Sequence, residues 1–360
     1  MPNTGRELPY SLWLQSRPAP LVFILPGIGA HRTSRNAAVL AELAFDDGFS
    51  VVTVSSPFHP EFLLNGLTDP YPGYTPNDAE DIYTALSLIH EQIVDEHPGM
   101  VTSTSLAGYS LGGIETLHIA AAQRDRPPGS LRFERFVALN PPVDLRHAAQ
   151  QFDRYFDAPL RWPAQERDQR VKELAMKAFL VLQEGIEAGK TLPLDRTESE
   201  FLIGLQGRTM LVTMLEAIRE RTGQGLRIEA QRADERGPLH YLLNESTLQN
   251  YGDQLLVPHY RAKLGVGGGE LERAASLRSI AEELRRNDRI QVLTNADDFI
   301  VTEEALGWLR GVMGERLTIF PSGGHLGNLH LRDVQSAVSL AIRGEKPSEL
   351  MGRAEALSAR

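Results

Sequence analysis

The sequence predicts an α/β chain: a mostly parallel central sheet with helices on both faces, interrupted by an all-α cap insertion. Three observations carry that reading. Short apolar, β-branched runs alternate with helix-forming stretches over residues 1–143. From 144 to 287 the rhythm changes to helical periodicity alone. Strand, helix, strand, helix then resumes over 288–343, leaving a polar tail at 344–360. The expected division is a core (1–143 and 288–343), a helical lid or cap (144–287) and the tail.

In order, Leu8 to Gln15 alternates loosely and suits an edge strand, whereas Leu21 to Leu25 is a compact apolar run suited to a buried central one. Asn36 to Phe45 is rich in helix formers and is stopped by Gly48. Ser50 to Val54 reads as a second buried strand, followed by loop material through Pro57, Pro60, Pro70, Pro72 and Gly73. Thr75-Pro76 opens a helix, with proline at its first position, and Ile82, Leu86, Ile89 and Ile93 then recur at helical spacing. Val101 to Leu106 is the next strand, Ile114 to Gln123 the next helix, and Phe136 to Leu139 a strand ending at Asn140-Pro141-Pro142. After the insertion come a strand (Arg289 to Leu293), a helix (Glu303 to Val312), a strand (Leu317 to Phe320) and a last helix (about Asp333 to Ile342).

Within the insertion, Val171, Leu174, Ala175, Ala178, Phe179 and Leu182 share one helical face. Met210, Leu211, Met214, Leu215 and Ile218 share another. These stripes suit an all-α subdomain that buries them internally, a lid whose apolar faces cover the serine, or both at once. Gly265-Val266-Gly267-Gly268-Gly269 has no strand before it, so it reads as a connector rather than a phosphate loop.

The totals narrow the function. A formal net charge of -10 argues against a general nucleic-acid binder and a polybasic membrane anchor. With no cysteine, disulfides, thiolate metal sites and a cysteine nucleophile are excluded. No metal is implied, because there is no H-E-x-x-H and no histidine pair joined to a carboxylate at ligand spacing. No cofactor is implied either. No uninterrupted apolar run reaches the roughly 18 residues expected of a membrane-spanning helix. The N-terminus shows no basic segment followed by an apolar stretch, so the chain reads as cytoplasmic by default and as secreted or periplasmic if a signal was removed.

The stretch that carries chemistry is Gly108-Tyr109-Ser110-Leu111-Gly112, between a strand and a helix. It fits G-x-S-x-G, in which a sharp turn lifts a serine hydroxyl clear of the sheet. Alone this pattern is common. It gains weight from an acid at the end of a late strand and from His325, which follows Ser322-Gly323-Gly324 after the final one. The order serine, acid, histidine is the one such sites follow. His90 and His118 fall in helices, His31 and His59 lie in loops where they can border a pocket, and His330 is the nearest rival to His325.

Together these residues resemble the α/β-hydrolase superfamily, from about Leu21 to Ile342 outside the insertion. The resemblance rests on the serine elbow, Pro26-Gly27-Ile28-Gly29, Asp298-Phe299-Ile300-Val301 and Gly324-His325. It implies Ser110 as nucleophile and His325 as base. Asp298 is the preferred acid through its Asp-x-x-Val spacing, with Asp297 (alternatively a helix cap) and Asp144 as competitors. Leu111 and Ile28 would supply the oxyanion-binding N–H groups, with Pro26 standing where the superfamily's loop carries histidine. The implied activity is a serine hydrolase of carboxylesterase or lipase type, acting through an acyl-enzyme on a small, hydrophobic acyl substrate. A serine peptidase or acyltransferase uses the same triad, and a catalytically silent ligand-binding protein keeps the same fold.

Overall fold

The computed structural model describes residues 1–184, 194–225 and 246–345, without the side chains of 178–184. Ala178, Phe179 and Leu182 of the first stripe, and the expected tail beyond Glu345, therefore lie outside what is described. Seven strands form one sheet: β1 (Ser11–Trp13), β2 (Ala19–Leu25), β3 (Ser50–Thr53), β4 (Val101–Tyr109), β5 (Arg135–Leu139), β6 (Ile290–Asn295) and β7 (Leu317–Phe320). Their order is β1-β3-β2-β4-β5-β6-β7. Every pairing is parallel except that of β1, which runs antiparallel to β3 at the edge.

The central strands are buried on both faces, which is why they read as continuous apolar runs rather than alternating ones. Leu21, Phe23, Leu25, Leu106 and Phe136 belong to one core layer, and Val22, Ile24, Ala107, Tyr109 and Val137 to the other. The first layer is covered by α3 (Thr75–Glu96) and α4 (Leu111–Ala122), the second by α1 (Arg35–Asp46) and the C-terminal helix Arg332–Arg343. The expected edge strand over Leu8 to Gln15 shrinks to three residues. Gln15 leaves the ladder because its backbone N–H donates to Ser50 Oγ and its amide to the carbonyls of Phe45 and Phe49.

One helix went unread in the sequence. α2 (Pro60–Asn65) lies where loop was expected. Pro60 suits the first turn, where a missing N–H costs nothing, and His59 caps it by accepting from the Glu61 N–H at 3.2 Å. Proline density in this stretch masked the helix.

Between β5 and β6 the described residues form helices and turns only. The long ones are α5 (Leu145–Phe156), α6 (Arg167–Glu184) and α7 (Arg196–Thr222). Then come α8 (Leu248–Tyr251), α9 (Val257–Leu264), α10 (Gly268–Ala275) and α11 (Ala281–Arg286). The two apolar stripes have different fates. Leu211, Met214 and Ile218 of α7 join the main core layer, so that stripe turns onto the core. Leu174 and Val171 of α6 pack with Ala158 and Phe201 inside the insertion, while Ala175 is exposed. α7 is also long and apolar enough to cross a membrane by length and composition, and 56% of that stretch is buried in the chain. The glycine-rich stretch separates α9 from α10: Gly265 ends α9 at φ 71°, and Gly268 and Gly269 begin α10. After β6 follow α12 (Glu303–Met313) and α13 (Arg332–Arg343).

α4 is the helix that matters for the site, and it lies unusually close to the sheet. A Cβ on Gly112 would collide with the carbonyls of Leu25 and Pro26, and one on Gly108 with the Gly112 carbonyl and Thr116 Oγ1. The buried face of α4 also carries titratable groups. Burial pushes the Glu115 carboxyl well above its ordinary range, and nearby Asp78, itself raised by burial, pushes it further. Burial pulls the His118 imidazole down from 6.5 to about 4.

Two outcomes follow from that packing. Gly108→Ala is expected to cost about 1–3 kcal/mol by overpacking, measured as a lower urea midpoint at unchanged m-value. For His118, the unfolded chain takes up a proton near pH 6.5, whereas the folded chain resists until about 4. Stability tied to this group is therefore lost as pH falls through that window, on the order of 3 kcal/mol. Asp78 and Glu115 act with the opposite sign, since their raised folded values favour protonation. His118→Gln, titrated by urea unfolding at pH 7 and pH 4, is expected to lose less stability than wild type over the same interval.

Candidate active site

Ser110 connects β4 to α4 as a single residue, at φ 55° and ψ -121°. A non-glycine residue with positive φ is strained, and here the surroundings hold it. The Ser110 N–H donates to the Leu139 carbonyl of β5 at 2.8 Å, and the Ser110 carbonyl accepts from Gly113 at 2.9 Å. Its hydroxyl thus sits at the positive end of α4, where first-turn N–H groups such as that of Leu111 have no acceptor within the helix.

His325 reaches this hydroxyl. Its Nε2 lies 2.8 Å from Ser110 Oγ, and its Nδ1 lies 3.0 and 3.1 Å from the two carboxylate oxygens of Asp298. The Asp298 side chain is fully buried. It accepts two further hydrogen bonds, from Asn140 Nδ2 at 2.8 Å and from the Ile300 N–H at 3.2 Å. A buried carboxylate is costly unless hydrogen-bonded, and these donors with the imidazole complete its shell. Asn140 directly follows β5, at φ 46°, and its amide reaches across to the loop after β6 that carries Asp298.

The competing acids have other partners. Asp297 does not cap the following helix. Thr302 does, accepting from the Ala305 N–H at 3.0 Å. Asp297 instead accepts from the backbone N–H groups of Gly323 and Gly324, at 3.2 and 2.8 Å. Asp144 stands at the start of α5, accepts from Ser276 Oγ at 2.6 Å and lies 3.5 Å from Arg278. His330 is exposed and bonds the Gly327 carbonyl at 2.9 Å.

The loop carrying His325 is held mostly by side chains. Asn295 donates to the Gly324 carbonyl at 2.7 Å, and Asn328 donates to Asn295 Oδ1 at 2.7 Å and to the Ser322 carbonyl at 3.1 Å. No sequence pattern singles out Asn140, Asn295 or Asn328. Asn140 and Asn295 matter because the fold places each beside a loop that follows another strand, and Asn328 because it meets Asn295 from within the His325 loop.

Ile28 and Leu111 border the same space. The turn at Gly27 packs onto Ser110 so tightly that a Cβ there would meet Ser110 Cβ at 3.2 Å. Behind it, the Ala30 carbonyl accepts from the Ser56 N–H at 2.9 Å and the Arg32 N–H donates to Ser55 Oγ at 3.0 Å. Glu61 takes hydrogen bonds from Ser55 and Arg32. Burial alone would raise its carboxyl, but these bonds overcome burial and hold it below the ordinary value. His31 and His59 belong to this support. Their rings lie 5.1 Å apart and neither borders the pocket, contrary to expectation.

A cavity of about 880 Å³ opens above Ser110. Ile28, Phe58, Leu145, Phe152, Tyr251 and Leu256 give it a largely apolar wall, drawn from both core and cap. Drug-sized ligand sites run from about 300 to 1,000 Å³.

Searches against protein-family models and against curated proteins find no match. Among solved structures, the chain is similar to Est1E from Butyrivibrio proteoclasticus, in the form bound to ferulic acid, at 14% identity and a TM-score of 0.44, covering 92% of each chain. It is similar to a monoacylglycerol lipase of Paleococcus ferrophilus at 16% identity and 0.42, covering 93% of this chain and 99% of that one. A thermostable carboxyl esterase of Bacillus coagulans, in complex with glycerol, stands at 16% and 0.43, with 95% and 93% covered. The chain's own parallel sheet, the one-residue turn at Ser110 between β4 and α4, and the helical insertion between β5 and β6 are those of an α/β-hydrolase fold.

Proposed function

We propose that the protein is a serine hydrolase that cleaves an ester-like bond through an acyl-enzyme on Ser110. The observation that carries this reading is the unbroken hydrogen-bonded line from Ser110 Oγ through His325 to Asp298, opening onto the cavity. A serine hydroxyl is a poor nucleophile at neutral pH and needs a base within hydrogen-bonding reach. His325 Nε2 takes the Oγ proton as the oxygen attacks the acyl carbon, and later gives it to the leaving alcohol. Asp298 accepts from Nδ1–H, which leaves Nε2 free as the base and stabilises the imidazolium that forms.

The backbone N–H groups of Leu111 and Ile28 are assigned to the oxyanion of the tetrahedral intermediate. Leu111 brings with it the positive pole of α4, worth roughly half an elementary charge. The apolar wall favours a hydrophobic acyl or alcohol group as the part of the substrate that fills the cavity. In this reading the core spans 1–143 and 288–343, and the helices of 144–287 act as the lid.

Labelling with a fluorophosphonate probe tests the proposal. Wild type is expected to label, and Ser110→Ala and His325→Ala are expected to lose the label. An unlabelled wild type would sink the hydrolase reading in favour of a ligand-binding role. Hydrolysis of 4-nitrophenyl esters but not aminoacyl anilides is the outcome expected of an esterase rather than a peptidase. Asp298→Asn, which presents the wrong hydrogen-bonding partner to Nδ1–H, is expected to lower kcat by about 10⁴-fold. Asp297→Asn keeps an acceptor for the glycine N–H groups and is expected to cost about tenfold or less. The reverse ranking would transfer the acid's role to Asp297.

A further inference from the structure

The imidazole of His325 is gripped from a side that the triad does not use. Phe299, directly after the acid, meets the His325 ring edge-on, with centroids 5.7 Å apart and planes at 77°. On its other side Phe299 stacks against Tyr155 of α5, at 4.5 Å and 24°, and meets Phe152 edge-on at 5.4 Å. A row of three rings, Tyr155, Phe299 and His325, therefore runs from the cap to the proposed base.

The row has a mechanical reason. Rotation about the histidine Cβ–Cγ bond is soft, with broad preferred wells. The backbone around His325 is tied by Asn295, Asn328 and Asp297, but these ties do not reach the ring itself. Gly323 and Gly324 precede it at φ 149° and 55°, and Leu326 follows at φ 65°. Asp298 fixes one nitrogen, but a ring held at one point can still swing Nε2 away from Ser110. A second ring packed edge-on removes that freedom, and such pairs prefer the offset and T-shaped geometries seen here.

The far end of the row is firmly based. α5 lies close against α7, where Gly204 leaves room for the Phe156 backbone and Gly207 for the Phe152 ring. Arg208 of α7, buried, reaches Asp153 of α5 at 3.2 Å, and Asp153 also accepts from the N–H groups of Leu248 and Gln249 at 3.1 Å. Tyr155 thus projects from a braced pair of helices rather than from a loose cover.

We propose that Phe299 and Tyr155 are positioning residues: the cap ring, acting through Phe299, holds the His325 imidazole on the line between Asp298 and Ser110. This inference rests on the hydrolase reading for its kinetic consequence, but its structural half stands apart from it. The hydroxyl of Tyr155 is not needed for stacking, so Tyr155→Phe preserves the device and Tyr155→Leu removes it.

Two measurements on the full chain test the proposal. The first compares turnover of 4-nitrophenyl acetate, whose acyl group is too short to fill the cavity, with that of the decanoate. Tyr155→Leu is expected to lower kcat on both esters by about threefold to tenfold, with KM on the acetate unchanged and Tyr155→Phe equal to wild type. A loss confined to KM for the decanoate would make Tyr155 a lining residue and overturn the proposal. The second is the downfield proton resonance of His325 Nδ1–H. It is expected to be sharp in wild type and Tyr155→Phe, and broadened or lost in Tyr155→Leu and Phe299→Leu. An unchanged resonance in Tyr155→Leu, in protein whose melting shows it folded, overturns the proposal even if no ester is hydrolysed. A wild type that neither turns over esters nor labels sinks the hydrolase reading alone, and the resonance still decides the positioning.

Discussion

The close approach of α4 to the end of β2 is the constraint on which the rest of the site depends. With hydrogen in place of side chains at Gly108 and Gly112, the helix can start one residue after the strand and lie against the carbonyls of Leu25 and Pro26. That closeness does three things together. It forces Ser110 into positive φ, places Leu111 of the first turn of α4 at the cavity, and brings the Gly27–Ile28 turn against Ser110. Serine hydroxyl and candidate oxyanion donors are thus set by one packing contact, before any hydrogen bond to His325 is made.

His325 and Asp298, the candidate base and acid, are placed by a different principle. The segments after β6 and β7 are loops, and loops acquire precision only from the groups that tie them down. Here Asn295 and Asn328 bond each other and the carbonyls of Ser322 and Gly324, while Asp297 gathers the two glycine N–H groups. Asn140 reaches from β5 to the buried Asp298. Such a network is valuable because it is nearly complete. A half-satisfied set of buried amides would cost stability and leave the loop free.

The cap combines two packing modes. α7 turns Leu211, Met214 and Ile218 onto the core, and its Met210 side chain covers Gly29 of the loop that carries Ile28. α6 packs Val171 and Leu174 inside the insertion. The insertion is therefore continuous with the core along α5 and α7 and self-contained along α6. Charged groups reinforce the attachment: Asp69 of the core accepts from Lys263 and pairs with His259 of α9, and Arg221 donates to the carbonyls of Leu63 and Leu67.

Local pattern carried much of this molecule. The alternation of β-branched runs and helix formers determined the sheet and its helices, because residues buried on both faces of a parallel sheet have no polar alternative. The glycines around Ser110 and before His325 determined the elbow and the histidine loop, because those turns exclude side chains. Spacing preferred Asp298 to Asp297 and Asp144 as the candidate acid; in space Asp298 meets His325, while Asp297 is occupied by Gly323 and Gly324, and Asp144 by Ser276. The asparagine supports and the row from Tyr155 to His325 were decided by tertiary structure alone. Each joins residues far apart in the chain, 158 positions for Asn140 and Asp298, and a pairing of that kind leaves no periodicity in the sequence to read.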